Sequence, residues 1–162
     1  MIQYKYKTES EEDTMKKNGI INPDLIYHLT DLGHFDSFVI CDMGFPIPAG
    51  KEKIDLTFTA GNPEFLPVLK ACLNEVVVQE MVLLDGIKTA NKDLHKEILE
   101  MVHNQEITYV DLPGFREKAK EEAKFYIRTG EARPCSNIML VSASGVAERV
   151  QKYDITIKEE QE

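Results

Sequence analysis

Short runs of apolar residues alternate with amphipathic stretches along most of this 162-residue chain. A continuous apolar run of four to eight residues is typical of a strand that is buried on both faces of a sheet. Apolar residues at helical spacing between such runs indicate helices that cover the sheet. We therefore predict an α/β fold, in which a single domain has a mostly parallel central sheet flanked by helices.

The pattern predicts strands at 38–41, 54–58, 76–84, 107–110, 125–127 and 138–141. Helices are predicted at 92–102 and 115–124, and two more begin at the Asn-Pro-Asp and Asn-Pro-Glu sequences 22–24 and 62–64. Asn is a favoured N-cap and Pro a favoured first helical residue, so both sequences are typical helix starts.

The domain is expected to span residues 15–146, between a polar N-terminal tail at 1–14 and a charged C-terminal tail at 147–162. Tyr153, Ile155 and Ile157 alternate with polar residues, so this part of the tail either pairs with a sheet edge or is solvated. The first residues lack the apolar stretch of a secretory signal, and the apolar runs are too short for a membrane span.

Composition argues against several classes of function. The chain has 28 acidic and 19 basic residues, and the net charge of −9 makes nucleic acid an unlikely partner. The sequence has no GxGxxG, no P-loop and no HExxH. Three cysteines without a CxxC motif, Cys41, Cys72 and Cys135, favour a reducing, cytoplasmic setting over disulfides or structural zinc. We expect no metal.

His34 and Asp42 are the candidates for chemistry, because we expect both near the ends of predicted elements, where α/β proteins bind ligands. His34 is either a cation that caps a helix end or an acid/base group that works near neutral pH. Asp42 either accepts hydrogen bonds from loop amides, or binds sugar hydroxyls or orients His34. The other histidines, His28, His95 and His103, are interpreted as surface or helix-end residues.

Cysteine chemistry is a weaker alternative. Cys135, Asn137 and His34 contain the residue types of a cysteine hydrolase, but their spacing does not bring them together. Cys41 and Cys72 are interpreted as small core residues.

From residue 15 to about residue 146 the chain resembles the sugar mutarotase family of ribose pyranase and fucose mutarotase. The matching motifs are KKNGIIN at 16–22, LGHFD at 32–36, VICDMGFPIP at 39–48, KIDLTFTAGNPEF at 53–65 and IRTGE followed by SNIML within 127–140. The DMGFPIP sequence at 42–48 is similar to the ribose pyranase branch.

The resemblance implies an isomerase that interconverts ring forms of a monosaccharide, ribose or a related sugar, without a cofactor. It implies a homodecamer of two stacked pentamers, with the sugar site between ring neighbours. It also implies that His34 is the acid/base residue and that Asp42 and Asn137 bind the sugar.

Two positions depart from the family pattern. Cys135 stands where the family carries Tyr, and Leu112-Pro113 stands where it carries His or Lys. Cys135 is therefore a candidate substrate-binding position that lacks the phenol, and Lys88 or Tyr109 could replace the missing contacts. The alternative function is a non-catalytic, ring-forming sugar-binding or regulatory protein.

Overall fold

The computed structural model describes residue 16 and residues 18–145. The two predicted tails, 1–14 and 147–162, lie outside the described residues. The strands are β1 Ser37–Cys41, β2 Glu52–Asp55, β3 Val78–Leu84, β4 Glu106–Val110, β5 Ala123–Arg128 and β6 Ile138–Ser142. The helices are α1 Pro23–Thr30, α2 Phe65–Glu75, α3 Ile87–Ala90, α4 Lys92–Glu100 and α5 Leu112–Glu122.

The strands form one six-stranded sheet in the order β2-β5-β1-β6-β3-β4. The pairs β2–β5, β5–β1 and β3–β4 are parallel, whereas β6 lies antiparallel between β1 and β3. The prediction of an α/β domain with a mostly parallel sheet is therefore confirmed. Within residues 18–145, no helix combines the length and the apolar character that a membrane span needs.

The two edges of the sheet at which strands begin and end are named here by the direction of β1 to β5. At the carboxyl edge, β1 to β5 end and β6 begins. At the amino edge, β1 to β5 begin and β6 ends. All five residues of β1 are buried, and its four apolar residues alternate between two core clusters. Phe38 and Ile40 belong to the core beneath α1 to α4, while Val39 and Cys41 pack in the core with Phe115 of α5.

Two predicted boundaries are wrong at the connection between β2 and α2. The strand ends at Asp55, because the Asp55 carboxylate accepts a 3.1 Å hydrogen bond from the Thr57 amide and turns the chain. The second helix begins at Phe65 rather than at Pro63. The Asn62 carbonyl accepts from the amides of residues 58 and 59, so Asn62 closes a turn and does not cap a helix. The Asn62–Pro63 peptide is cis.

Helix α5 begins three residues earlier than predicted. Asp111 is its N-cap and accepts a hydrogen bond from the Gly114 amide at 2.8 Å, with Pro113 in the first turn. This is the same start chemistry that the sequence shows at Asn22-Pro23, where Asn22 accepts from the Leu25 amide. The short helix α3 was not predicted, since its four residues are too few to show a period.

A buried glutamate replaces the missing cap of α2. Glu131 is only 3% exposed, and one of its carboxylate oxygens accepts from the Phe65 amide at 3.2 Å. The carboxylate also accepts from the backbone amide and the guanidinium of Arg133, at distances of 2.8 to 3.0 Å. Gly130 lets this loop approach the turn at 59–62 that precedes α2, because a side chain there would collide with the Asn62 carbonyl.

We predict that Glu131→Gln makes the protein less stable at neutral pH. The hydrogen bond from Arg133 is the main cause that lowers the pKa of Glu131 from 4.5 to about 2. Because the folded state lowers this pKa, the stabilisation is complete above pH 4.5 and is lost as the pH falls towards 2. We expect the free energy of unfolding to fall by about 2–3 kcal/mol at pH 7.

Urea unfolding at pH 7 and at pH 3 checks this, with Glu121→Gln on the exposed side of α5 as the matched control. The difference between wild type and Glu131→Gln should be smaller at pH 3. An equal loss of unfolding free energy in Glu131→Gln at pH 7 and pH 3 would show that the charge of Glu131 is not what stabilises the fold.

Candidate functional site

Asp42 and Asn137 form a paired polar site at the carboxyl edge. Asp42 directly follows β1, and Asn137 directly precedes β6. The Asn137 side-chain amide donates to the Asp42 carboxylate at 2.8 Å, and its carbonyl accepts from the Asp42 backbone amide at 3.1 Å. The other Asp42 oxygen accepts from the Gly44 amide at 2.9 Å. Both side chains are therefore held in fixed orientations.

The antiparallel insertion of β6 brings these two residues together. Ile40 of β1 and Leu83 of β3 both pair with Ile138 of β6. The residues just before β6 therefore lie level with the residues that follow β1 and β3. Asn137 is 4% exposed, and one of its two amide N–H groups is engaged by Asp42. The second N–H of this amide is a further hydrogen-bond donor.

Cys135 borders the same site. It has a left-handed backbone, with φ of 59°, and its thiol lies against Gly86, where a Cβ would come within 3.2 Å of the sulfur. Burial and the neighbouring Asp42 charge raise the pKa of this thiol, so the thiolate that a nucleophile needs is disfavoured. The cysteine-hydrolase alternative therefore lacks its nucleophile as well as its geometry. Cys41 and Cys72 are buried, as interpreted from the sequence.

His34 lies at the opposite edge of the sheet from Asp42. The expectation that His34, like Asp42, lies beyond the carboxyl ends of strands is wrong within one chain, because His34 precedes β1 and Asp42 follows it. Five strand residues at about 3.3 Å each separate the two by roughly 17 Å. Asp42 therefore cannot orient His34 of its own chain. His34 also lies beyond Asp31, the C-cap of α1, so it does not cap that helix.

The His34 imidazole is exposed but has two neighbours. Its Nε2 atom lies 3.2 Å from Oε1, the side-chain amide oxygen, of Gln79, which is the second residue of β3. The Phe35 ring stacks on it, with ring centroids 3.8 Å apart and an angle of 17° between the planes. Phe35 itself is 69% exposed and has a φ of 69°.

A cavity of about 750 Å³ lies between α5 and the loop at 45–49, which begins three residues after Asp42. The Phe45 amide donates to the Asp42 carbonyl at 3.4 Å, which joins the cavity wall to the site. Its lining residues are Phe45, Pro46, Ile47, Pro48, Ala49, Leu112, Pro113, Arg116, Glu117 and Lys120. The Leu112-Pro113 departure therefore lies in this wall. The two cations of this lining, Arg116 and Lys120, are not among the candidate residues predicted from the sequence. Their spacing of four residues places them on one face of α5.

Lys88 and Tyr109, the two suggested replacements, lie close to each other. The Lys88 ammonium is 3.7 Å from the centroid of the Tyr109 ring and 2.7 Å from the Asp85 carboxylate. The Tyr109 hydroxyl is 2.8 Å from Nε2 of His95. Their polar atoms are thus engaged by neighbours of their own. Among the described residues, no group of three or more His, Cys, Asp and Glu side chains is placed to hold a metal.

The comparisons with known proteins concern the family and the fold of this chain. The model of the RbsD / FucU transport protein family matches residues 15–147. A D-ribose pyranase of Geobacillus thermodenitrificans is 48% identical over 128 residues, which are 79% of this chain and 96% of that protein. A D-ribose pyranase of Kosmotoga olearia is 38% identical over 128 residues, with coverage of 79% and 97%.

Solved structures have the same fold. The structure of Bacillus subtilis RbsD complexed with D-ribose has a TM-score of 0.76 and 37% identity, and the match covers 80% of this chain and 98% of that one. The fucose mutarotase of Streptococcus pneumoniae, in complex with L-fucose, has a TM-score of 0.63 and 22% identity, with coverage of 78% and 95%. The second likeness concerns the fold alone.

We predict that Asn137→Asp lowers stability at neutral pH and that, as with Glu131→Gln, the difference from wild type becomes smaller as the pH falls. The substitution places a second carboxylate 2.8 Å from Asp42, and two like charges this close cannot both be ionised at low cost. One of them must keep a proton, so the variant should be less stable than wild type at pH 7.5 and should recover as the pH falls to 5.

Melting temperatures at the two pH values check this prediction. Asn74→Asp, on the exposed side of α2, is the matched control for the added charge. Equal pH dependence in the two variants would show that the Asp42–Asn137 contact is not maintained in solution.

Proposed function

Because this chain belongs to the RbsD / FucU transport protein family, we propose that it is an isomerase that interconverts the ring forms of ribose or a related monosaccharide. The observation that carries the proposal is the 48% identity to a D-ribose pyranase over 79% of this chain. The Asp42–Asn137 pair supports it, since a fixed carboxylate and an amide with a second N–H are suited to neighbouring sugar hydroxyls.

The active site that we propose is shared between two copies of the chain. His34 of one copy approaches Asp42 and Asn137 of its neighbour. The support is that one copy holds these groups at opposite edges of its sheet, with His34 exposed at one of them. A ring of identical subunits can bring opposite edges together through a head-to-tail contact.

His34 is the proposed proton shuttle. In its neutral form it takes the proton of the anomeric hydroxyl while the bond between C1 and the ring oxygen breaks. It returns the same proton to the ring oxygen, which leaves the open-chain aldehyde and the original imidazole. Both oxygens are bonded to C1, so one nitrogen can reach both. Reclosure through a different hydroxyl reverses these steps and gives the other ring form.

The binding contacts come from the carboxyl edge. Asp42 accepts from one sugar hydroxyl, and the remaining Asn137 N–H donates to another. Cys135 contributes a neutral thiol to the same surface. General acid/base catalysis by one residue typically contributes about 10²- to 10⁴-fold, and we expect this site to need no cofactor.

Selective-inversion NMR on ribose tests the function. We expect magnetisation to move between ring forms faster with the protein than without it, and His34→Ala to remove the acceleration. His103→Ala, an exposed histidine in the loop before β4, is the control and should keep the activity. Binding of ribose and related pentoses without any acceleration would favour the alternative, a non-catalytic sugar-binding protein.

Mixing two inactive variants tests the shared site. His34→Ala keeps the carboxyl-edge groups, and Asn137→Ala keeps His34, so mixed rings contain some intact sites. Random co-assembly restores about a quarter of the wild-type activity if each site draws on two copies. Mass spectrometry verifies that the two variants assemble together. If the mixed rings are then as inactive as each variant alone, His34 and Asn137 do not form a shared site.

We propose a homodecamer of two stacked pentamers in the cytoplasm. The resemblance to ribose pyranases supports the assembly, and the free thiols of Cys41 and Cys72 suit a reducing compartment. Light scattering after size exclusion should give a mass near ten times 18.5 kDa. A monomer at micromolar concentration would contradict both the assembly and the shared site, whereas a pentamer would leave the shared site standing.

A further inference from the structure

The contact between His34 and Gln79 determines which nitrogen of the imidazole carries a proton. The Gln79 atom that faces Nε2, at 3.2 Å, is the carbonyl oxygen, which can only accept a hydrogen bond. With the amide in this orientation Nε2 donates, so the neutral ring carries its proton on Nε2. The unprotonated nitrogen is then Nδ1, and only an unprotonated nitrogen can take a proton from a substrate.

The backbone around His34 restricts the ring further. The Gly33 amide donates to the Asp36 carboxylate at 2.6 Å, and the Phe35 amide donates to the Ser142 carbonyl at 3.0 Å. This turn places Phe35 in the left-handed region with its ring stacked on the imidazole. A left-handed backbone at a bulky residue is unfavourable, and such strain is concentrated at functional sites.

We infer that Gln79 is a positioning residue for the isomerase reaction, which fixes the Nε2–H tautomer of His34 and makes Nδ1 the atom that exchanges the proton. Phe35 assists by covering one face of the ring. This inference rests on the proposed function. The amide of Gln79 is neutral, so it holds the ring in both protonation states and adds no charge to the shuttle.

The charged groups around His34 are bonded to partners of their own. Asp31 and Asp36 both lie within 4 Å of the Lys124 ammonium of β5, at 3.9 and 2.7 Å. Glu80, the neighbour of Gln79 in β3, accepts from the Thr108 hydroxyl of β4 at 3.0 Å. Glu75, at the end of α2, accepts from the Ile20 amide. A carboxylate at position 79 would place its charge where the Gln79 oxygen lies, 3.2 Å from Nε2.

The first test is the pH profile of Gln79→Glu. A carboxylate next to Nε2 favours the protonated imidazole, so the acid limb of the exchange rate should move to higher pH. We expect a shift of about half a unit to one unit, since solvent at this exposed site weakens the interaction. Asn104→Asp, which adds the same charge to the exposed loop before β4, is the control and should keep the wild-type profile. An unchanged profile in Gln79→Glu would overturn the inference.

The second test removes the hydrogen bond with little change of shape. Gln79→Met should lower kcat by about tenfold or more and leave KM within about twofold, because the tautomer and ring orientation are lost while the sugar contacts stay. Gln79→Glu, which keeps an acceptor, should retain most of the rate at high pH. A Gln79→Met variant with wild-type kcat would show that the contact does not position the ring.

A third measurement does not depend on activity. Carbon-13 labelling of the histidine rings distinguishes the two neutral tautomers, and the His34 signal is assigned from a His34→Ala sample. Wild type should show the Nε2–H tautomer and Gln79→Met a mixture. The Nδ1–H tautomer in wild type would refute the role of Gln79. A protein with the Nε2–H tautomer but no sugar exchange would instead contradict the proposed function.

Discussion

The buried carboxylate of Glu131 joins the parts of the molecule on which the carboxyl-edge site depends. Its side chain caps the first turn of α2 and pairs with Arg133, while its backbone carbonyl accepts from the Met43 amide at 3.0 Å. Met43 follows Asp42, and Arg133 lies in the loop that leads to Asn137. One residue therefore fixes both sides of the Asp42–Asn137 pair relative to a helix of the core. Removing the Glu131 carboxylate would lower the free energy of unfolding, because each of its partners would lose a hydrogen bond.

The loop before β6 has a second anchor at the start of α4. The Asn91 amide donates to the Pro134 carbonyl at 3.2 Å and to the Ser136 hydroxyl at 3.3 Å. Ser136 in turn donates to the Arg133 carbonyl at 3.0 Å. The nine residues between β5 and β6 are thus held at several points, which permits the left-handed backbone of Cys135 and directs Asn137 towards Asp42. The rigid loop suits a site whose task is to hold hydroxyls while a proton moves.

Because His34 and Asp42 lie at opposite edges of the sheet, different contacts support the two halves of the proposed site. Each half is supported by its own chain: the carboxyl edge by Glu131 and Asn91, and the amino edge by Gln79 and the turn at 33–36. In the shared site, assembly is what brings acid/base chemistry to the bound sugar. An isolated subunit would bind hydroxyls at one end and present an imidazole at the other, without a way to combine them.

The sequence by itself determined the fold class, most of the elements and the identity of Asp42 and Asn137 as candidate residues. Apolar runs and helix starts are local signals, and the Asn22-Pro23 start appeared where the pattern predicted it. The family motifs are also short segments that can be identified in the sequence alone.

Only the tertiary structure decided that β6 runs antiparallel, that His34 lies at the opposite edge from Asp42, and that Glu131 and not Asn62 caps α2. It also decided that Gln79 meets His34. These features depend on contacts between residues 45 to 95 positions apart, and local propensity carries no information about such pairs. The physical reason is that strand direction and side-chain pairing are set by how the whole sheet packs, which no short segment of the chain contains.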